Sequence, residues 1–196
     1  MSFTRLDIAI SNAGAPYQGL IGNSTALIRH SFELNFFAHQ FVAAAAVRVF
    51  MKQNQISESQ GSLMGGCLLF NTSKASVNPG PNFGPYAVAK AATLALMKQY
   101  ALEYGVHQIR SNAVNADRVR TSFFSTEVVE KRAQSRGLTP DQYFANNLLK
   151  HEVTAEVWFL DDQFKLTSPS LGSRACILSP RSLACYICSH IDCGRW

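Results

Sequence analysis

The sequence predicts an α/β fold built on a parallel sheet. Three short stretches read as buried strands: Leu6–Ile10, Cys67–Thr72, which opens on the apolar run Cys67–Phe70, and Ile109–Val114. Two long helical patterns separate them, one from Ala26 to about Gln53 and one from about Gly84 to Tyr104. Strands that alternate with helices of this length pair in parallel, because a parallel crossover needs a dozen or more residues. A length of 196 residues suggests one domain, and 47% hydrophobic against 16% charged residues is a globular balance.

Taken in order, Leu6–Ile10 runs into Ser11-Asn12-Ala13-Gly14, a small-residue turn that lets another backbone or a ligand come close. Residues 15–24 read as loop, with Ser24 or Thr25 as the cap of the first helix. In that helix Leu27, Leu34, Phe37, Phe41 and Val42 suit a face against the sheet, and Ala43–Ala46 is a strong helix former of little bulk. Asn35 interrupts the apolar pattern and needs hydrogen-bond partners. Residues 53–66 read as a polar surface loop. The small residues of the second helix suit packing on the sheet or on another subunit, and Gly105 reads as its stop. Ile109–Val114 leads to Asn115-Ala116-Asp117-Arg118-Val119-Arg120-Thr121. Residues 122–150 read as one or two helices, with Thr139-Pro140-Asp141 as a start signal.

The stretch Asn71–Lys90 carries the chemistry. It leaves a strand, crosses a Pro/Gly/Asn loop and enters a helix, and Ser73, Tyr86 and Lys90 fall along it. Tyr86 and Lys90 are four apart and share one helix face. Ser73 ends the strand, where the loop can fold it back over the tyrosine. A free phenol has a pKa of about 10. An ammonium one turn away favours the phenolate and lowers that value. A serine hydroxyl beside it can hold a substrate oxygen, so the three together suit proton transfer at an alcohol or carbonyl.

Ser73 followed by Tyr86-x-x-x-Lys90 at this spacing resembles the active site of the short-chain dehydrogenase/reductase family. The block Asn78-Pro-Gly-Pro-Asn-Phe-Gly-Pro-Tyr86 looks more narrowly like the dehydrogenase half of bifunctional rhamnulose-phosphate aldolase/short-chain dehydrogenases. The resemblance covers roughly residues 4–156 and implies a Rossmann-like doubly wound parallel sheet. It implies NAD or NADP as cofactor. Tyr86 would be the general acid/base, Lys90 would lower its pKa and hold the nicotinamide ribose, and Ser73 would orient the substrate oxygen. Asn35 would anchor a water leading from the lysine. Asn12, Ala13 and Gly14 would lie beside the cofactor, and Val119 and Thr121 would contact its nicotinamide end. The family usually has Pro-Gly where Ala116-Asp117 stands, so the turn there differs. A small hydroxy-aldehyde such as lactaldehyde is the implied substrate.

The family begins with a strand, a glycine-rich turn and a helix that holds the pyrophosphate. No Gly-x-x-x-Gly-x-Gly precedes Leu6, so the sequence reads as a partial fold without its first βαβαβ half. Weak cofactor binding and an open Leu6–Ile10 edge that invites self-association are the expected consequences. The chain is therefore expected to form homo-oligomers.

After residue 156 the sequence departs from the family, and residues 157–196 read as a divergent, poorly ordered tail, as an altered reading frame would produce. Cys176, Cys185, Cys188, His190 and Cys193 lie there at spacings too compressed for a usual zinc knuckle, so no metal is expected. A net charge of +5 is a solvated surface or the mark of an anionic ligand, and no basic stripe interleaved with aromatics suggests nucleic acid. Phe36–Phe50, broken by His39, Gln40 and Arg48, reads as too short and polar to span a bilayer. The start has no basic leader and apolar core, so a cytoplasmic chain is expected. Three functions fit these readings: an NAD(P)-dependent oxidoreductase, a cofactor-independent ester or lactone hydrolase using Ser73, and an inactive fragment. No Gly-x-Ser-x-Gly elbow supports the second.

Overall fold

The computed structural model describes residues 5–59, 65–121, 124–147 and 150–154, with the backbone of 176–179 and 182–187. Three parallel strands carry the fold: β1 (Ile8–Ser11), β2 (Gly66–Asn71) and β3 (Ile109–Val114). Ile8 pairs with Cys67, and Gly66 pairs with Ile109. Within the stretch read as a divergent tail, β4 (Cys176–Ser179) joins β3 in parallel and β5 (Ser182–Ile187) returns antiparallel, giving the order β1-β2-β3-β4-β5. This is the expected Rossmann-like α/β architecture. Cys188, His190 and Cys193, and with them the zinc reading, lie outside the described residues.

The crossover from β1 to β2 is one continuous helical run: α1 (Thr25–Phe32), a π-helical turn at Glu33–Phe37, and α2 (Ala38–Glu58). Ser24 caps it, its hydroxyl accepting from Leu27 N at 3.2 Å. The run continues past Gln53 to Glu58, into residues that the sequence reading gave to a loop. Its inner face also differs from the expected one. Phe37, Phe41 and Val42 are exposed, and Ser31, Asn35, His39, Ala43, Ala46, Val47 and Phe50 are buried. The wide π turn is the cause. A 3.6-residue repeat would rotate positions four apart around the helix, whereas the π turn takes up an extra residue and keeps Ser31, Asn35, His39 and Ala43 in line.

Thr25–Ile56 is also long and apolar enough, by length and composition, to cross a membrane, so the exclusion drawn from Phe36–Phe50 does not extend to the whole helix. Its inner face belongs to the core. Ala43, Ala46, Val47 and Phe50 pack with Leu68 and Phe70 of β2, Ile109 and Ala113 of β3, and the second crossover helix. Gly66 lets this happen: a Cβ there would stand 2.5 Å from the Phe50 ring.

The second crossover helix, α3 (Gly84–Tyr104), matches its expected span and contributes Leu94, Met97, Tyr100 and Ala101 to the same core. Gly105 does not stop it in a left-handed conformation. A 3₁₀ turn at Gly105–His107 follows, and Gln108, at φ 60°, makes the left-handed exit. β1 lies at the sheet edge with Ile8 and Ile10 exposed. After β3 the chain folds into α4 (Thr126–Gln134) and α5 (Pro140–Ala145). Val129, Ala133, Tyr143 and Phe144 form a second small core there. Thr139 begins α5 with a complete capping box to Gln142, as its sequence signals.

Candidate active site

The C-terminal ends of the strands open into a cleft of about 600 Å³. Ser73, Tyr86 and Lys90 all line it, with Asn12, Gly14, Val119 and Thr121. Ala13 and Asn35 do not.

Ser73 follows β2 in extended conformation and starts a 3₁₀ turn, its hydroxyl accepting from Ala75 N at 3.2 Å. The loop bonds Lys74 N to Ala116 O at 3.0 Å, which ties the exits of β2 and β3 together. Tyr86 stands in the first turn of α3, and a side-chain hydrogen bond with Ser73 works to lower its pKa. The Phe83 ring meets the Tyr86 ring edge to face at 6.3 Å.

Lys90, one turn on, is 2% exposed. Its ammonium lies 5.9 Å from the Tyr86 ring centroid and donates to Asn71 O at 2.8 Å. A third neighbour, His39 Nε2, is 3.3 Å away. An ammonium has only donors, so Nε2 must present its lone pair and the ring proton sits on Nδ1. Nδ1 then donates to Ser11 Oγ at 2.7 Å. Burial first, then the nearby Lys90 charge, lowers His39 to about 4. Burial also brings Lys90 down to about 8.

The phenol departs from the expected electrostatics. Burial raises Tyr86 above its ordinary value, and the Ser73 hydrogen bond only partly opposes that. Burial outweighs the lysine: the ammonium stands 5.9 Å from the ring centroid with two of its three donors on Asn71 O and His39 Nε2, and the buried ring has lost the water that would solvate the anion. Tyr86 is accordingly a protonated group, suited to giving a proton to a carbonyl oxygen.

Asn35 lies beneath the cleft in the π turn. Its side chain donates to Ala15 O at 2.9 Å and accepts from Ala15 N at 3.1 Å, and its carbonyl takes the Thr93 hydroxyl. It thereby fixes the turn after β1. Gly14 passes so close that a Cβ would stand 3.0 Å from Asn35 Oδ1 and 3.2 Å from Lys90 Nζ. Ala13 is exposed, and its backbone hydrogen-bonds His39. Asn71 bonds Asn12 at 2.6 Å, while its own Oδ1 is buried with no partner among the described residues.

The turn at Ala116-Asp117 takes its shape from Arg118, which adopts φ 48°. Arg118 donates to Tyr143 O at 2.8 Å and to Asn146 O, and pairs with Asp117 at 3.4 Å. These bonds dock the α4–α5 hairpin over the cleft. Sequence reasoning missed Ser11, His39, Asn71, Arg132 of α4 and Arg136 just after it. The signal for His39 was present: Ser31, Asn35 and His39 form a polar line at spacing four inside an apolar helix.

A parallel Rossmann-like sheet with serine, tyrosine and lysine meeting beyond its strand ends defines the class of protein. The family model described as enoyl-(acyl carrier protein) reductase matches residues 1–166, and the chain belongs to the short-chain dehydrogenase/reductase family. It is 31% identical over 120 residues to the human dehydrogenase/reductase SDR family member 4, covering 60% of this chain and 40% of that protein. It is 25% identical over 142 residues to the L-rhamnose 1-dehydrogenase (NAD(P)(+)) of a Sphingomonas species, covering 71% and 52%. Among solved structures, sorbitol-6-phosphate 2-dehydrogenase from Erwinia amylovora superposes with a TM-score of 0.75 at 15% identity, over 90% of this chain and 68% of that one. ElxO with NADP bound gives 0.68 at 20% identity, over 90% and 66%. The chain spans about 40% of the length of the curated relatives it matches first.

Proposed function

We propose that the chain is an NAD(P)-dependent oxidoreductase that interconverts a small alcohol or hydroxy-aldehyde with its carbonyl or acid. The convergence of Ser73, Tyr86 and Lys90 on one cleft carries the reading. The residues around it fit the nicotinamide-ribose end of a dinucleotide. The orphan Asn71 Oδ1 offers an acceptor, and Gly14 leaves the space beside Lys90 Nζ that a side chain would fill. The L-rhamnose dehydrogenase named for NAD(P) and the structural neighbour with NADP support that cofactor. Bound there, the nicotinamide supplies the hydride acceptor or donor.

The chain's own residues hold and move the proton. Ser73 donates to the substrate oxygen and keeps it against the phenol. Tyr86 gives its proton to that oxygen in reduction and takes it back in oxidation. Lys90, a cation below about pH 8, holds the ribose and stabilises the developing phenolate. Asn12, Ala13, Gly14, Val119 and Thr121 shape the cofactor side, and Asn35 holds that wall and a water behind Lys90. The Asn78–Tyr86 block supports the rhamnulose-phosphate aldolase/dehydrogenase branch, with lactaldehyde as the first substrate to assay. Residues 1–156 are the catalytic portion in this reading. We place the protein in the cytoplasm, and the exposed Phe41, Val42 and Ile10 support self-association.

Calorimetry with NADH and NADPH, followed by lactaldehyde turnover, tests the reading. Tyr86→Phe should keep cofactor binding and lose at least about a hundredfold in turnover. A Tyr86→Phe variant that turns over at the wild-type rate would end this assignment.

A further inference from the structure

The cleft carries a charge that the proton chemistry does not use. Among the described residues, its lining includes five cationic side chains, Lys74, Lys90, Arg118, Arg132 and Arg136, against a single acid, Asp117. Three of the five have evident employment. Lys90 serves Asn71 and His39, Lys74 pairs with Asp117 at 3.9 Å, and Arg118 fastens the hairpin. Arg136 lies over the Tyr143 ring and donates to Arg132 O at 2.9 Å.

Arg132 is different. Its guanidinium lies 4.8 Å from the centroid of Phe83 and 5.5 Å from that of Phe124. Among the described residues no carboxylate lies within ion-pair distance of it. The two rings contact the guanidinium as a cation over their faces, which leaves its in-plane N–H donors for a ligand. Phe83 in turn abuts Tyr86, so the donors stand one aromatic ring outward from the phenol. A fork of donors held in place by packing is the geometry that reads a carboxylate or phosphate.

We propose that the substrate of this cleft carries a carboxylate or phosphate a few atoms from its reacting oxygen, and that Arg132 binds that group. The proposal rests on the oxidoreductase reading for what happens at the other end of the substrate. Anion binding at Arg132 is measurable without it.

Two arms test the proposal. In the first, glycerol 3-phosphate and succinate are titrated calorimetrically into the wild-type chain and into Arg132→Met and Arg132→Lys, without cofactor. Binding of at least one anion, weakened about ten- to a hundredfold in Arg132→Met and partly kept in Arg132→Lys, is the expected result. No binding to the wild type, or equal binding to all three folded proteins, overturns the proposal. In the second arm, glyceraldehyde 3-phosphate is compared with glyceraldehyde, and succinic semialdehyde with 4-hydroxybutanal, as substrates with NADH and NADPH. One charged partner should have the higher kcat/KM, and Arg132→Met should cost it about ten times more than its neutral analogue. A preference for the neutral aldehydes, or an equal cost to both, counts against the assignment. If Arg132→Met weakens NADH binding as much as anion binding, the arginine serves the cofactor's phosphates and the proposal fails. If no aldehyde is turned over, the oxidoreductase reading fails and the titration alone decides the anion site.

Discussion

His39 gives the sharpest test of how the site is built. It is fully buried, faces Lys90 through Nε2 and Ser11 through Nδ1, and packs against Phe70 at 6.3 Å between ring centroids. Its folded-state pKa is about 4 against 6.5 for a free imidazole. Above pH 6.5 the imidazole is neutral in both states and stability does not depend on it. Between 6.5 and 4 the unfolded chain binds a proton that the folded chain refuses, so stability falls as pH falls. A shift of this size corresponds to about 3 kcal/mol lost across the window, at about 1.4 kcal/mol per pH unit. Below pH 4 both states are protonated and the slope ends. His39→Gln keeps an acceptor for Lys90 and removes the titration. The test is urea unfolding of wild type and His39→Gln at several pH values from 7.5 to 4. The wild type should lose about 3 kcal/mol more than the variant over that range, whatever the variant's stability at pH 7.5. Other histidines and carboxylates titrate in both proteins and cancel. Parallel stability curves would refute the buried neutral imidazole and, with it, the proton assignment around Lys90.

Two further substitutions probe the scaffold of the cleft. Gly14→Ala places a methyl 3.0 Å from Asn35 Oδ1 and 3.2 Å from Lys90 Nζ, both fixed by hydrogen bonds, and should destabilise by about 1–3 kcal/mol in denaturant titration. An unchanged midpoint would mean that the turn after β1 is not held as described. Thr139→Ala removes the capping box of α5 and should cost about 1 kcal/mol, seen as faster amide exchange in residues 141–145. Exchange at the wild-type rate would show that the hairpin is held by Arg118 and the Tyr143–Phe144 core instead.

The strands and the second crossover helix were legible from their ends: Gly84-Pro85 opens the helix, Gly105 follows it, and Asn71 and Asn115 mark the exits of β2 and β3. Ile109–Val114 and Gly84–Tyr104 match their expected limits for that reason. The first crossover was legible as a helix but not in its orientation. A 3.6-residue repeat places Phe37 and Phe41 inside, and the π turn at Glu33–Phe37 puts them outside. Nothing local in Glu-Leu-Asn-Phe-Phe announces an extra residue per turn. What holds it is tertiary: Asn35 bonded to Ala15, and Ser31 donating to Pro85 O at 2.9 Å. His39 was hidden by the same error, because a helix set in the wrong register does not aim it at Lys90. Arg118 was hidden differently. Only the docked hairpin explains why a non-glycine residue adopts φ 48°.

Lys90 shows why the spacing of tyrosine and lysine was readable while its electrostatics were not. Spacing four guarantees that both side chains rise on one face of α3. It does not say where the ammonium's donors go. Two of the three go to a carbonyl and a neutral imidazole, and among the described residues no carboxylate pairs with the ammonium. A buried cation left without an anion is costly, and its lowered pKa records that cost. The same lack of a counter-charge keeps its field directed into the cleft. There it raises the affinity of any anion that forms or arrives, whether the phenolate of Tyr86 or a substrate group held at Arg132. Stability alone gives no reason to bury a cation here with only neutral acceptors, Asn71 O and a His39 imidazole oriented by Ser11; the arrangement fits a perturbed group placed for a ligand.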